Sequence, residues 1–358
     1  MSAPLLHAEA LHRAYPLPGG RALRAVDGID LALERGQTLA VVGESGCGKS
    51  TLGRLLLRLE EADAGRILLD GVDLRALRGG ALRDMRRRVQ VVFQDPYGSL
   101  NPRERIRDAL VRPMLLHRLC DRVEAMRRAG ALMERVGLSP AQLDRLPHQF
   151  SGGQRQRIAI ARALSVGPEL IVCDEPVSAL DVSVQAQVVN LLQNLQRERG
   201  LALVFISHDL AVVRHLAHQV AVMYAGRVVE AGPAAALFAD PRHPYTRALL
   251  AAAPRTDTGP RAHAPLAGEP PNPAAPPPGC RFAARCSAAR SPCRQEPQPD
   301  LRTIAPGHQA ACHYAEALPP FTALEAVAPA STPLAKRIAA YRTARDRDRA
   351  AAGETPCA

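Results

Sequence analysis

Hydrophobic positions along the first two-thirds of the chain fall in short runs broken by glycine and polar residues. Val26 to Leu33 and Thr38 to Val42 read as strands parted by a turn at Gly36, and the second runs straight into Gly43-Glu-Ser-Gly-Cys-Gly-Lys-Ser50. Beyond Ser50 the apolar residues Leu52, Leu55, Leu56 and Leu59 recur at helical spacing, so the pattern predicts strand, glycine-rich loop and helix in succession. Arg66 to Leu69 and Val72 to Leu74 flank Asp70-Gly71, a tight-turn signal, and Val89 to Phe93 reads as a buried strand. From Pro96 to about Pro147 the pattern becomes helical and rich in arginine, which predicts a small helical subdomain inserted in an α/β core.

After Ser151 strands and helices alternate: helix 154–166, strand 169–173, helix 182–199, strand 202–206, a short helix 209–216 and strand 219–224. Such alternation predicts a largely parallel sheet covered on both faces, with the core ending near Ala253. Pro254 to Gly279, rich in Pro, Gly and Ala, reads as an extended linker. Cys280 to His313 holds four cysteines, and the stretch from Pro319 offers one amphipathic helix near Leu334 to Arg345 in an otherwise loose tail.

Composition narrows the classes. With 47% hydrophobic and 23% charged residues the chain can bury an ordinary core, which excludes disorder throughout. No apolar stretch approaches the roughly 18 to 20 residues of a spanning helix, and Met1 to Ala10 lacks the pattern of a secretory signal. A cytoplasmic protein is expected, with any membrane association made through a partner. The net charge of +11 raises nucleic acid as a ligand, but the arginines are scattered and six Tyr, six Phe and no Trp leave few rings to stack bases. Of 46 basic residues only Lys49 and Lys336 are lysines. A position that stays Lys against that background calls for a compact ammonium rather than a planar guanidinium.

Lys49 stands where a phosphate site needs it. Gly43-x-x-x-x-Gly48-Lys49-Ser50 matches the P-loop, in which backbone N–H groups and a helix N-terminus surround the β- and γ-phosphates of a nucleotide. Lys49 would reach the β/γ oxygens and the Ser50 hydroxyl would ligate Mg²⁺. Leu170-Ile-Val-Cys-Asp174-Glu175 is an apolar strand ending in two carboxylates, which alone could open a surface turn. Beside a P-loop, Asp174 is suited to hold Mg²⁺ through its water shell and Glu175 to polarise an attacking water. Ser151-Gly152-Gly153-Gln154 opens a helix as a second anion site, for which one chain binding one nucleotide has no evident need.

The set of P-loop, Ser-Gly-Gly-Gln, Asp-Glu, Ser178-Ala-Leu-Asp181 and His208, in this order, resembles the ATP-binding cassette (ABC) family from about residue 5 to 250. The resemblance implies an α/β P-loop NTPase core with an antiparallel β subdomain and an inserted helical subdomain at about 96–165, the cassette spanning 1–253. A 254–279 linker, a 280–318 four-cysteine segment and a 319–358 tail form a C-terminal extension. It also implies that two cassettes meet head to tail, each ATP lying between the P-loop of one and the signature of the other, so that Ser151, Gly152, Gly153 and Gln154 act in trans. ATP would then be bound by Gly43, Glu44, Ser45, Gly46, Cys47, Gly48, Lys49, Ser50 and Thr51, with Tyr15 stacked on adenine. Gln94 would touch Mg²⁺ and His208 would lie near the γ-phosphate. With Glu175 present at the catalytic position, hydrolytic competence is expected.

Gln94-Asp-Pro-Tyr-Gly-Ser-Leu-Asn-Pro-Arg103, Ala179-Leu-Asp-Val-Ser-Val-Gln185 and His243-Pro-Tyr-Thr-Arg-Ala-Leu-Leu250 are similar to the dipeptide/oligopeptide importers, and most of all to their F-type subunit. The resemblance implies a second, different cassette as partner, two transmembrane permease subunits and, indirectly, a solute-binding protein, with the chain peripheral at the cytoplasmic face of the inner or plasma membrane. A soluble cassette ATPase acting on ribosomes or nucleic acid is the alternative, but such relatives carry two cassettes or a long coiled-coil insertion. A regulatory metal-binding protein with a degenerate ATP fold is weakened by Glu175 and His208.

Cys280, Cys286, Cys293 and Cys312 form a cluster that, in a reducing compartment, points to metal rather than disulfide. Their spacing is wider than that of zinc motifs and does not name the metal. In the peptide-importer group a similar tail, with an aromatic and an Arg between the first two cysteines as Phe282 and Arg285 stand here, implies [4Fe–4S] ligands; zinc and free thiols remain open. Cys47, Cys120, Cys173 and Cys357 stand apart as packing or surface residues.

Overall fold

The computed structural model describes residues 3–95, 98–252, 268–321 and 340. Two compact units emerge, the first made of residues up to Leu77, those from Val204 to 252 and those from 268 to 321, the second of Arg78 to Leu203.

The first unit begins with β1 (Leu6–Pro16), β2 (Ala22–Leu33), β3 (Thr38–Val42), helix α1 (Lys49–Leu56), β4 (Ala64–Leu69) and the two-residue β5 (Val72–Asp73). An antiparallel sheet runs in the order β2-β1-β4-β5, with Leu6 opposite both Leu33 and Leu69. β1 is absent from the sequence reading, because His7, Glu9, His12 and Arg13 dilute its apolar set and an irregular pairing around Ala10 breaks its alternation. Leu6, Ala8 and Leu11 are nonetheless buried.

The second unit carries α2 (Gly79–Arg88), β6 (Val89–Val92), α3 (Ile106–Leu116), α4 (Arg122–Arg135), α5 (Gly152–Leu164), β7 (Leu170–Asp174) and α6 (Val182–Arg199). β6 and β7 pair in parallel from Val89–Leu170 to Val92–Cys173. Leu170 to Cys173 are buried, as parallel strands covered on both faces require. β8 (Ala202–Ser207), buried along its whole length, carries the chain from the second unit back to the first.

There follow α7 (Leu210–Leu216), β9 (Gln219–Tyr224), β10 (Arg227–Pro233), α8 (Ala234–Ala239), α9 (Pro244–Ala252), β11 (Arg302–Ala305) and β12 (His308–Ala310). β3 and β9 are parallel, but beyond β9 the strands turn antiparallel in the order β11-β12-β10-β9-β3. The two residues Ala225-Gly226 joining β9 to β10 leave no room for the crossover that a parallel pair needs. The expectation of a core ending near Ala253 is corrected here, since β11 and β12 extend the sheet with antiparallel strands from the far side of the linker. Residues 268–279 form no helix or strand. The helix expected near Leu334 to Arg345 falls, apart from Ala340, outside the described residues, as do 253–267 and Cys357.

Candidate active site

β3 ends, fully buried, at the glycine-rich loop of the first unit. Gly43 and Gly48 pass so close to neighbouring backbone that a Cβ on either would run into a carbonyl oxygen, of Met223 and of Ala25 respectively. Gly48 also has φ 105°, a conformation that side chains resist, and as N-cap of α1 it has no side chain to cap the first turn. That helix N-terminus is thereby shaped for an anion. Lys49 is 5% exposed, and its Nζ donates to the carbonyls of Gly43 and Glu44, both at 2.8 Å. Cys47 is buried, which pushes its thiol pKa up, while Ser45 and Gly46 are exposed. Ser50 and Thr51 are half-buried in the first turn of α1.

In the second unit β7 delivers Asp174 and Glu175 to the strand end. Glu175 has φ 47°, uncommon for a residue with a side chain, and the turn is braced where the Ser178 hydroxyl donates to its carbonyl at 3.1 Å. Gln94, two residues past β6, donates from Nε2 to a Glu175 carboxylate oxygen at 3.2 Å. Two residues far apart in sequence therefore share one end of the β6–β7 pair.

Ser151 caps α5: its hydroxyl accepts the N–H of Gln154 at 3.3 Å, and the Gln154 side-chain oxygen accepts the N–H of Ser151 at 3.0 Å. This reciprocal capping box holds Gly152 and Gly153 at the helix start, where a Cβ on Gly153 would collide with Val184. In the first unit His208 is exposed between β8 and Asp209, the N-cap of α7. Tyr15 lies on β1, with its hydroxyl bonded to Glu60 and the Arg13 guanidinium 4.9 Å from its ring centre.

Cys280, Cys286, Cys293 and Cys312, also of the first unit, line one small cavity of about 20 Å³. Burial, with the other three cysteines nearby, pushes Cys312 up to about 11, and burial likewise raises Cys280 and Cys286. Among the described residues no group of three or more His, Cys, Asp or Glu side chains is arranged to hold a single metal ion.

Residues 26–178 match the pattern described as ABC transporter, and residues 229–293 that of the oligopeptide/dipeptide transporter C-terminal region. The dipeptide transport ATP-binding protein DppF of Escherichia coli (strain K12) is 50% identical over 318 residues, 87% of this chain and 95% of that protein. The probable peptide ABC transporter ATP-binding protein y4tS of Sinorhizobium fredii is 51% identical over 320 residues, 87% of this chain and 90% of that one. The chain belongs to the ABC transporter family, in its dipeptide/oligopeptide group. Among solved structures, the dimeric cassette MJ0796 in a post-hydrolysis state with ADP and Pi matches at a TM-score of 0.59 and 27% identity, over 64% of this chain and 98% of that one. This cassette is thus an ATP-hydrolysing subunit working on ATP with Mg²⁺, and its relatives' role in transport implies permease partners. Among the described residues no helix is long and apolar enough to cross a membrane.

Two contacts of the cassette's P-loop escape the sequence reading. The Tyr245 hydroxyl accepts the N–H of Glu44 at 2.8 Å, and Arg285 grips the Glu44 carboxylate with two bonds of 2.7 and 2.8 Å. Both residues stand in motifs legible by resemblance, the His243-Pro-Tyr245 run and the segment between the first two cysteines. Nothing in a one-dimensional pattern links them to a loop 201 and 241 positions upstream.

Proposed function

We propose that this chain is the F-type ATPase subunit of a di- or oligopeptide importer, lying peripherally at the cytoplasmic face of the inner or plasma membrane. It pairs there with a second, different cassette on two permease subunits fed by a solute-binding protein, and nucleic acid is not a partner. The buried Lys49 at the base of an uncapped α1, in a chain 50% identical to a dipeptide transport ATP-binding protein, carries this reading.

In it, the amides of Gly43 to Thr51 and the Lys49 ammonium take the β- and γ-phosphates, and Tyr15 faces adenine. Ser50, Gln94 and Asp174 would hold Mg²⁺, which when bound neutralises charge on the β/γ oxygens. Glu175 orients the attacking water and accepts its proton as the water oxygen bonds to the γ-phosphorus and the bond to the ADP oxygen breaks. His208 donates to a γ-phosphate oxygen, and Ser151 to Gln154 do the same work from the partner cassette. Glu175→Gln should keep ATP binding and lower hydrolysis by on the order of 10²-fold or more, trapping an ATP-bound cassette pair in the assembled transporter. Hydrolysis at the parent rate would overturn the assignment.

The four cysteines brought to one small cavity would ligate a [4Fe–4S] cluster, as the likeness of this segment to the peptide-importer tail implies. Protein purified without oxygen should contain iron and sulfide at four each per chain and absorb in the visible, and zinc at one per chain would overturn the cluster.

A further inference from the structure

Every polar group of Glu44 is engaged. Its N–H goes to the Tyr245 hydroxyl, its carbonyl takes the Lys49 ammonium at 2.8 Å and the Cys47 N–H at 3.4 Å, and its carboxylate is clasped by Arg285. Arg285 is itself held, at 5% side-chain exposure, by a bond of 3.3 Å to the Tyr224 hydroxyl. Tyr224, Tyr245 and Phe282 pack as three rings with centres 4.5, 5.3 and 5.4 Å apart, which fixes both the tyrosine and the loop that carries Arg285. A second anchor lies alongside, where Arg281 bonds to the buried Asp27 and to the Ala225 carbonyl.

We infer that Arg285, with Tyr245, is a positioning residue for ATP binding: it neutralises Glu44 inside the phosphate cradle and fixes the carbonyl that holds Lys49. The inference rests on reading Gly43 to Ser50 as the ATP loop. Its physical basis is charge. An anionic side chain two-thirds or more buried in a loop that must receive a triphosphate repels the ligand unless a cation cancels it, and a bidentate guanidinium does so with fixed geometry. Arg285 lies between Cys280 and Cys286, so the cysteine segment reaches the glycine-rich loop through this side chain.

Mg-ATP titrations of the full chain test this, with melting temperature and the KM and kcat of the assembled transporter measured in parallel. Arg285→Gln should weaken ATP binding about tenfold, more at low salt, and raise KM with kcat nearly unchanged. Arg285→Lys, which keeps the charge and loses the fork, should fall between. Adding Glu44→Gln to Arg285→Gln removes the uncompensated charge and should recover most of the lost affinity. An Arg285→Gln or Arg285→Lys protein that melts earlier yet binds ATP within twofold of the parent overturns the inference, as does a double variant no better than the single one. Parent protein that fails to bind ATP would instead sink the reading of the loop itself.

Discussion

Helix α1 starts behind Gly48, which sits at φ 105° and has no side chain to offer, whereas α5 starts behind Ser151, whose hydroxyl closes a capping box with Gln154. Both helix ends carry glycines and both were expected to face phosphate, yet one is left open and the other satisfies itself. An open N-terminus with a buried ammonium beside it can take an anion as soon as one arrives. At α5 a ligand must first compete with the Ser151 hydroxyl for the Gln154 amide, an exchange that a charged phosphate oxygen wins more readily than a neutral acceptor. The difference suits one end that binds ATP within its own chain and another that closes on ATP presented by a partner.

Lys49→Arg should give the largest effect, lowering ATP turnover by on the order of 10²-fold, because a guanidinium cannot sit 2.8 Å from both the Gly43 and Glu44 carbonyls in the space of an ammonium. Parent-like affinity and turnover in that variant would break the α1 half of the comparison. Gly48→Ala comes next, since its Cβ meets the Ala25 carbonyl and its φ is strained: chemical denaturation should show a loss of about 2 kcal/mol together with weaker ATP binding. Smallest is Ser151→Ala. It should cost about 1 kcal/mol of stability through the lost cap, leave ATP binding by the isolated chain within twofold of the parent, and reduce hydrolysis in the assembled transporter. Weaker ATP binding by the isolated Ser151→Ala chain would show α5 acting in cis and dissolve the contrast.

The legible parts of the molecule were those whose determinants are neighbours in the chain. Strand, loop and helix around Lys49 occupy consecutive residues, and so do β7 with Asp174-Glu175, the Ser151 cap and the α6–β8–α7–β9 succession. Each is written in local periodicity and one or two glycines. Helix α2 was missed because Arg83, Arg86, Arg87 and Arg88 crowd it and Met85 is its one buried residue. β11 and β12 were missed because a cysteine cluster behind a proline-rich stretch reads as an appendage, while strand pairing such as Glu230 with Ala310 leaves no mark on either partner's local sequence. The cluster's four cysteines were visible as a group, but the clasp of Arg285 on Glu44 was not, because complementary charge at a separation of 241 positions is one pairing among many.

Strand β10 is paired with β9 on one side and with β12 on the other, and the buried Glu230 at its middle accepts the N–H groups of Arg242 and His243 and pairs with His308 at 2.7 Å. A shortened protein ending after α9 would therefore present the open backbone of β10 to solvent and leave the Glu230 carboxylate without its histidine. Bare sheet edges recruit strands from other molecules. Trimming this chain after α9 should thus promote self-association through that edge, which β11 and β12 cover in the full chain.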